Sequence, residues 1–560
     1  MPASVSAVPF ENRHWYLWER SLYFCFATLP NLKPSWLRVL IIGIFTVGLI
    51  SLLPVAIVGL LLMPVLSRIR CRSLPAPRGP YAVSCSDFWL PVSLDPALFV
   101  NTLSSGDGPV GQDHFIRVRM YYPTTQSSAP NCFSKTQWLP APARLYAEAY
   151  VCFMSLPSWF AKFTAPILMN VYSPIGVDDP PLNYPNMGTP LSEGTGTNID
   201  GEPASWKGWP VVLFSHGLGG SVSTYGCICA EMASNGAVVF APEHQDGSAV
   251  TTFGLKITPE VNQNTRKLLR SEDLRLPRDM ELERIPYTHW KHLESLHGDG
   301  EGPWRARQIC RRKSELVAIV DTLKCLSQGD DSHFPLGISD AGASLLMNGL
   351  KDSDGNPSLL NFDKISLVGH SFGGATILDM GSSLRTERVI ALDPWVFALK
   401  TPMVSRKGVM AKSGSRSILD QAVTRPTLVL MTQSLMYKEN EDDIRRLYSA
   451  TARVRSTSIK GGSNADRAQH FLLAEVMNTR HQDQSDVPSA IPFVAKFFCM
   501  ASNQVSFAHS TKDSSKALYS RSDVFGPPLV TFADLICLSF LCAATEPTSS
   551  CVAAPSGRYF

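Results

Sequence analysis

The 560-residue sequence lacks an excess of either charge, a C-x-x-C cysteine pair and a glycosylation sequon. Its 51 Lys and Arg residues nearly balance 48 Asp and Glu residues, and no basic arm is present, so we expect no nucleic-acid partner. The 13 cysteines are scattered without the paired spacing of a zinc site, and we expect no metal. The absence of an Asn-x-Ser/Thr sequon favours a domain that faces the cytosol over one in an oxidising, glycosylating compartment.

One long stretch near the N-terminus contains no charged residue. It covers residues 39–66, and about 20 apolar residues are enough to span a bilayer as a helix. The stretch is longer than the core of a signal peptide and lies further from the N-terminus. It therefore predicts a transmembrane helix or, because Pro54 lies near its centre, a re-entrant hairpin. A buried helix of a soluble domain is the alternative.

The cations beside this stretch predict its orientation. Four follow it closely and two precede it: Arg68, Arg70, Arg72 and Arg78 on one side, Lys33 and Arg38 on the other. By the positive-inside rule, the larger C-terminal part then faces the cytoplasm. We expect five parts, namely an N-terminal segment (1–38), the membrane segment (39–66), a basic, Pro-rich linker (67–78), a folded domain (79–510) and a poorly defined tail (511–560).

Short apolar segments alternate with helical patterns in the large domain. Strands are predicted at 114–123, 210–216, 237–242, 364–370, 388–392 and 426–434. Helices are predicted within 143–170, after residue 222, at 302–328 and after residue 374. Such alternation is typical of an α/β fold with a mostly parallel sheet. The basic face of helix 302–328 is interpreted as a solvated surface.

The segment GHSFGG, residues 369–374, lies between a predicted strand and a predicted helix. This is the setting of a nucleophile elbow, in which glycines permit a sharp turn and expose the serine hydroxyl. A hydroxyl needs a base, and that base needs an orienting acid. Ser371 is therefore the predicted nucleophile. Asp393, at the carboxyl end of strand 388–392, is the predicted acid; a simple turn at Asp393-Pro394 is the alternative.

A second glycine-rich loop, SHGLGG at 215–220, also follows a predicted strand. Backbone N–H groups in such a loop stabilise the oxyanion that develops during acyl transfer. In the α/β-hydrolase fold the second donor is the amide of the residue after the nucleophile, which is Phe372. The two glycine-rich segments together predict a serine hydrolase more strongly than either does alone.

These segments, with GPYAVSCSDF (79–88) and VVFAPEHQDGSA (238–249), resemble the platelet-activating factor acetylhydrolases, which are calcium-independent phospholipases A2. The resemblance runs in order from about residue 79 to about residue 490. It implies an α/β-hydrolase that removes short or oxidised sn-2 acyl groups from phosphocholine lipids and needs no cofactor.

The resemblance also implies roles for individual residues. Leu218 and Phe372 would provide the oxyanion-hole amides, and His216 and Trp395 would line the substrate pocket. His244 matches a family position as well, and we expect it to be structural.

The catalytic histidine is where the sequence departs from the family pattern. The family places it soon after a strand that corresponds to residues 456–461. His481, in HQDQSD, keeps the local motif but needs an insertion, which costs little in a surface loop. His470 lies nearer to the strand, within RAQHFLLAEVM (467–477), which reads as a helix. We expect His481 to be the base and keep His470 as the alternative.

The expected substrate is a phospholipid and the expected partner a bilayer. Trp159, Phe160 and Phe163 suit an interfacial position, although an ordinary core helix explains them equally well. Two other functions stay open. One is a carboxylesterase or neutral lipase of the same fold, and the other is a membrane-tethered lipid-binding protein without catalytic activity. Nothing in the sequence indicates an oligomeric state.

Overall fold

The computed structural model describes residues 72–93, 114–124, 136–182 (without 155 and 157), 208–257, 280–289, 301–347, 359–400 (without 382, 383 and 385), 417–432 (without 422 and 424), 438–458, 471–491 (without 478) and 506–509. The predicted membrane segment (39–66) and the tail (511–560) lie outside these residues. None of the helices within the ranges just given is long and apolar enough to cross a membrane.

A ten-stranded sheet forms the centre of the fold. Its strands are β2 (Ala82–Val92), β3 (His114–Thr124), β6 (Gly176–Val177), β7 (Trp209–Ser215), β8 (Val238–Pro242), β11 (Leu360–His370), β12 (Arg388–Leu392), β13 (Thr427–Thr432), β14 (Phe471–Met477) and β15 (Ser506–His509). Their order is β15-β14-β13-β12-β11-β7-β8-β3-β2-β6. The strands from β14 to β8 are all parallel, which confirms the predicted α/β fold with a mostly parallel sheet.

Five short strands lie outside this sheet. A three-stranded sheet contains β1 (Arg72–Ser73), β4 (Thr136–Gln137) and β5 (Val171–Ser173), while β9 (Thr251–Ile257) and β10 (Met280–Pro286) form an antiparallel pair. Through β1, part of the predicted linker packs against the domain. Arg72 donates a hydrogen bond to the Ala490 carbonyl at 3.0 Å, and Leu74 is buried.

Eight helices are present among the described residues: α1 (Ala143–Phe153), α2 (Ala161–Met169), α3 (Gly226–Ser234), α4 (Glu301–Ser327), α5 (Asp340–Met347), α6 (Phe372–Met380), α7 (Lys438–Ser458) and α8 (Val487–Ala490). They bury both faces of the sheet. Alternate residues of β7 point to opposite faces, so Val211 belongs to the core under α4 and α6, and Val212 to the core under α1 and α3. Burial on both faces explains why the strand is apolar throughout.

The basic face of α4 is buried, so the prediction of a solvated surface is wrong. Arg305, Arg311 and Arg312 are each less than a tenth exposed. Two acidic residues provide the compensating charges: Arg312 pairs with Asp246 at 2.9 Å, and Arg311 with Glu315 at 3.1 Å. A buried charge needs such a partner, and the distant Asp246 was not recognisable as one from the helix alone.

Two predictions near the histidine candidates are also wrong. Residues 456–458 end helix α7 rather than begin a strand, and the segment after residue 470 is strand β14 rather than a helix. A short apolar run fits either type by its periodicity, and here pairing with β13 decides for the strand. His470 itself lies outside the described residues.

Candidate active site

Ser371 stands in a strained turn between β11 and α6. Its φ is 55° and its ψ is −116°, a conformation that costs a non-glycine residue about 1–3 kcal/mol. The surrounding backbone holds it there, because its amide donates to the Leu392 carbonyl and its carbonyl accepts from the Trp395 amide, each at 2.9 Å. A Cβ atom on Gly373 would lie 2.0 Å from the Ser215 carbonyl oxygen, so only glycine fits there. This strained turn between a strand and a helix has the geometry that the sequence predicted for a nucleophile elbow.

Asp393 follows β12 and receives three hydrogen bonds. The Thr432 amide donates to Oδ1 at 2.9 Å, the Thr432 hydroxyl donates to Oδ2 at 2.5 Å, and His481 Nδ1 lies 2.6 Å from Oδ2. The carboxylate is almost fully buried, whereas the His481 side chain is 23% exposed. A proton shared between Nδ1 and a carboxylate leaves Nε2 as the ring atom that accepts a further proton. The structure thus joins two of the predicted site residues, which are 88 positions apart in the chain.

The turn that carries His481 is tied to the start of α3. Asp486 is fully buried, its amide donates to the Thr224 carbonyl at 2.8 Å, and its Oδ1 accepts from the Cys227 amide at 3.1 Å. Burial raises the pKa of Asp486 to about 7, although the hydrogen bonds from α3 oppose this shift. These contacts of Asp486 hold the turn that carries His481 against α3.

The SHGLGG loop lies beside Ser371. A Cβ atom on Gly217 would be 3.1 Å from Ser371 Cβ, and a turn from Gly217 to Gly220 places Leu218 at its tip. The amide of Leu218 has no hydrogen-bond partner among the residues that the structure describes. Phe372 is the first residue of α6, where an amide lacks an intrahelical acceptor. Both predicted oxyanion donors therefore have N–H groups that are not used by the backbone.

His216 lies within the same loop and is almost fully buried. Its Nε2 accepts from the His244 amide at 3.1 Å, so its Nδ1–H donates to the Gly217 carbonyl at 2.8 Å. Burial, with a further contribution from Arg312, lowers the pKa of His216 well below its usual value. The neutral ring stabilises the loop backbone, and a direct contact with substrate stays a prediction.

Trp395 lies next to Ser371, because its amide donates to the Ser371 carbonyl at 2.9 Å. Its ring centroid is 6.1 Å from that of Phe372 and 5.4 Å from that of Phe397, with which it is stacked. The indole is partly exposed, which is compatible with the predicted place beside a substrate.

A buried polar network connects α4 to the SHGLGG loop (215–220), which we call the oxyanion loop after its predicted role. Arg312 donates to the His216 carbonyl at 2.7 Å and pairs with Asp246, and both charged side chains are fully buried. Burial alone would raise the pKa of Asp246, but Arg312 lowers it to about 2. Removing one partner of such a pair typically costs about 3–5 kcal/mol. The network therefore makes the loop a rigid part of the fold.

His244 takes the structural role that we expected. It is fully buried, with Nε2 2.9 Å from Ser215 Oγ and Nδ1 2.7 Å from Glu315 Oε2. Serine, histidine and glutamate thus repeat the order of a catalytic triad, but Ser215 is inaccessible to a substrate.

Two residues of the site were missed by reasoning from the sequence. Thr432, at the carboxyl end of β13, binds both oxygens of Asp393, and Tyr225 binds both Gly217 and His370. For Thr432 a signal existed, because parallel neighbours end at the same edge of a sheet. For Tyr225 there was none, since its two hydrogen-bond partners, Gly217 and His370, belong to separate segments of the chain.

Comparison with known proteins identifies a family that matches most of the chain. The model of the family described as platelet-activating factor acetylhydrolase, isoform II, matches residues 69–491. The platelet-activating factor acetylhydrolase of Canis lupus familiaris is 24% identical over 76% of this chain and 74% of its own length. That of Cavia porcellus is 26% identical over 58% of this chain and 56% of its own length.

A ferulic acid esterase from Streptomyces cinnamoneus is a weak structural match. It is 14% identical, with a TM-score of 0.40 over 76% of this chain and 82% of its own. The fold assignment rests instead on the strand order and on the family match, which extends over most of the chain. The chain belongs to the platelet-activating factor acetylhydrolase, isoform II, family and is a lipid ester hydrolase.

Proposed function

We propose that the protein is a membrane-anchored serine hydrolase that cleaves the sn-2 ester of phospholipids similar to platelet-activating factor, with an acetyl, short or oxidised acyl group. The observation that carries the proposal is the contact between His481 and Asp393, together with the strained turn at Ser371. These features supply a base that is oriented by an acid and a serine on a strained turn, which are the parts of a Ser-His-Asp mechanism.

The reaction proceeds through an acyl-enzyme. Ser371 Oγ attacks the ester carbonyl carbon while His481 Nε2 takes the hydroxyl proton. The amides of Leu218 and Phe372 stabilise the resulting oxyanion, and loss of one such donor typically lowers kcat by about 10²–10³-fold. The sn-2 C–O bond then breaks, and His481 returns the proton to the lysophospholipid oxygen.

Water completes the cycle. His481 removes a proton from a water molecule while the water oxygen attacks the acyl carbon. The bond between the acyl carbon and Ser371 Oγ then breaks, His481 gives the proton to Oγ, and the fatty acid is released. Every proton in this sequence is carried by side chains of the chain itself, so the proposed mechanism needs no metal or organic cofactor.

The aromatic residues at α1 and α2 support access from a bilayer. Trp159 is 55% exposed, and its ring meets that of Phe160 edge to face at 5.9 Å. Phe153 is 38% exposed and lies against the oxyanion loop, since a Cβ atom on Gly219 would be 2.4 Å from its ring. Exposed aromatic rings next to the site suit the interfacial layer of a membrane. The side chain of Phe163 lies outside the described residues.

We further propose that residues 39–66 anchor the protein and that the catalytic domain faces the cytoplasm. Expression of the full chain in cells tests both points. Carbonate extraction should leave the protein in the membrane fraction, and protease added to sealed microsomes should digest the catalytic domain. Release by carbonate would contradict the anchor, and protection from protease would contradict the orientation.

The catalytic proposal is tested by labelling with a fluorophosphonate probe and by comparing substrates. Wild type should be labelled, S371A should not, and short-chain phosphocholines should be cleaved faster than long-chain triglycerides or p-nitrophenyl esters. Preference for triglycerides or simple esters would favour a neutral lipase or carboxylesterase. An unlabelled wild type would contradict catalysis and favour a lipid-binding role.

The histidine assignment needs its own pair of variants. H481A should abolish turnover, because loss of the base in a Ser-His-Asp triad lowers kcat by about 10⁶-fold. H470A should retain turnover. If H470A alone is inactive, the assignment of His481 is wrong.

A further inference from the structure

His370, the residue directly before the nucleophile, connects the two halves of the site. It is almost fully buried. Its Nδ1 lies 2.8 Å from the Tyr225 hydroxyl, and its Nε2 lies 3.1 Å from the His481 carbonyl oxygen. The Tyr225 hydroxyl in turn accepts from the Gly217 amide at 3.2 Å. A continuous chain of hydrogen bonds thus runs from the oxyanion loop to the residue that carries the base.

The groups at the two ends of this chain determine which partner donates in each hydrogen bond. The His481 carbonyl only accepts, so His370 must carry its proton on Nε2. In the neutral ring Nδ1 is then an acceptor, and the Tyr225 hydroxyl donates to it. At the other end the Gly217 amide only donates, and the tyrosine oxygen accepts from it. All donors and acceptors are matched in a single arrangement.

The environment keeps this arrangement neutral. Burial, with a smaller contribution from His481, lowers the pKa of His370 well below its usual value. Burial likewise raises the pKa of Tyr225 above its usual value. Neutrality matters because the His370 and His481 rings lie with their centroids 4.4 Å apart at 33°. A second imidazolium at this distance would oppose the positive charge that the base acquires.

Both ends of the chain belong to the reacting part of the site. Gly217 precedes Leu218, the proposed oxyanion donor, and a Cβ atom on it would be 3.3 Å from His370 Nδ1. The His481 carbonyl belongs to the residue that orients its base toward Asp393. Ser371 is not a member of this chain of hydrogen bonds, but it directly follows His370 in the sequence.

We propose that Tyr225 and His370 are positioning residues, which fix the positions of the oxyanion loop and of His481 relative to Ser371. The inference rests on the proposed function, since it takes Ser371 as nucleophile and His481 as base. A misplacement of about 1 Å in such a site costs on the order of 10²-fold in rate. The two residues should therefore affect kcat far more than KM.

Two substitutions at His370 separate the two bonds. In H370N the amide oxygen lies near the place of Nδ1 and still accepts from Tyr225, but no donor reaches the His481 carbonyl. In H370Q the amide nitrogen lies near the place of Nε2 and keeps that donor. Y225F removes the hydroxyl and both of its bonds. Y122F is a matched control, because it removes a buried tyrosine hydroxyl that donates to the Asp179 carbonyl, at 2.9 Å, and contacts none of the predicted site residues in this hydrogen bond.

The measurements are kcat and KM on p-nitrophenyl acetate, the stoichiometry of fluorophosphonate labelling, and Tm. We expect H370N and Y225F to lower kcat by roughly 10- to 100-fold, with KM changed by less than about threefold. H370Q should recover most of the loss, and Y122F should leave kcat unchanged. Because the bonds form one chain, Y225F and H370N together should cost less than the sum of their separate effects.

Several results would overturn the inference. Equal kcat values for H370N and H370Q would show that the donor to His481 is unimportant, and a kcat of Y225F equal to that of Y122F would show the same for Tyr225. If H370N does not fold, the comparison of Y225F with Y122F decides. An inactive and unlabelled wild type would instead refute the proposed function, which is a separate outcome.

Discussion

The substitution D393N tests the orientation of the base most directly. It keeps the size of the side chain and removes its charge. The Thr432 amide, 2.9 Å from Oδ1, can only donate, so the amide oxygen of the substituted side chain must remain on that side. Its NH₂ group then faces His481 Nδ1, which has to become an acceptor. The ring proton moves to Nε2, and the base can no longer take the proton of Ser371.

The size of the effect follows from this change of tautomer. The same substitution in a Ser-His-Asp triad of known behaviour lowers kcat by about 10⁴-fold, which corresponds to ~5.5 kcal/mol in the activation barrier. KM should change little, because the Asp393 carboxylate is 1% exposed and does not reach the substrate. We expect kcat on p-nitrophenyl acetate to fall by about 10⁴-fold in D393N.

The assay combines kcat, the rate of fluorophosphonate labelling and Tm. D420N is a matched control, because Asp420 forms an exposed ion pair with Arg446 at 2.6 Å and such pairs contribute about 0–1 kcal/mol. D420N should keep the kcat of wild type. A folded D393N with more than about a tenth of wild-type kcat would refute the reasoning that Asp393 orients His481.

Three further predictions concern stability and the turn. In G373A a Cβ atom would lie 2.0 Å from the Ser215 carbonyl oxygen, so both Tm and fluorophosphonate labelling should fall. G254A is the control and should change neither, because the nearest atom to its Cβ would be 4.0 Å away. Equal Tm values for the two variants would contradict the steric argument. Arg119 and Arg117 outweigh burial and lower the pKa of Asp87 to about 2. The ionised Asp87 therefore contributes about 2 kcal/mol to the free energy of unfolding above pH ~4, and this contribution is lost as the pH falls toward ~2. The free energy of unfolding, measured in urea, should fall over this pH range in wild type but not in D87N. Parallel pH profiles of the two proteins would refute the contribution of Asp87. Because burial raises the pKa of Asp486 to about 7, its contribution to stability falls as pH rises from ~4 to ~7. D486N should therefore gain stability relative to wild type over that range in the same assay, and a constant difference would contradict the shift.

Local sequence patterns were sufficient for the elbow and for much of the sheet. The run before Gly369 is apolar because β11 is buried in a parallel sheet, and the glycines after Ser371 are required by contacts as short as 2.0 Å. Asp393 was recognisable because a carboxylate at the carboxyl end of a parallel strand points into the same crevice. Each of these inferences depends on a few consecutive residues.

Other features depend on contacts between distant segments. The arginines of α4 look like a solvated face until Asp246 and Glu315 are placed beside them. The run FLLAEVM fits a helix or a strand by its own pattern, and only its pairing with β13 makes it β14. Thr432 and Tyr225 carry no motif, and their roles appear only with their partners in place.

The α/β class, the family, the tight turn at Ser371 and the predicted acid Asp393 could all be inferred from the amino-acid sequence, since these inferences depend on local conformation and on motifs of adjacent residues. The contact between His481 and Asp393, at 2.6 Å, became visible only in three dimensions, because 88 positions separate the two residues in the chain. The tertiary structure also placed His370 and Tyr225 between the loop and the base. The physical reason is that a hydrogen bond depends on distance and direction in space, which a one-dimensional pattern does not contain.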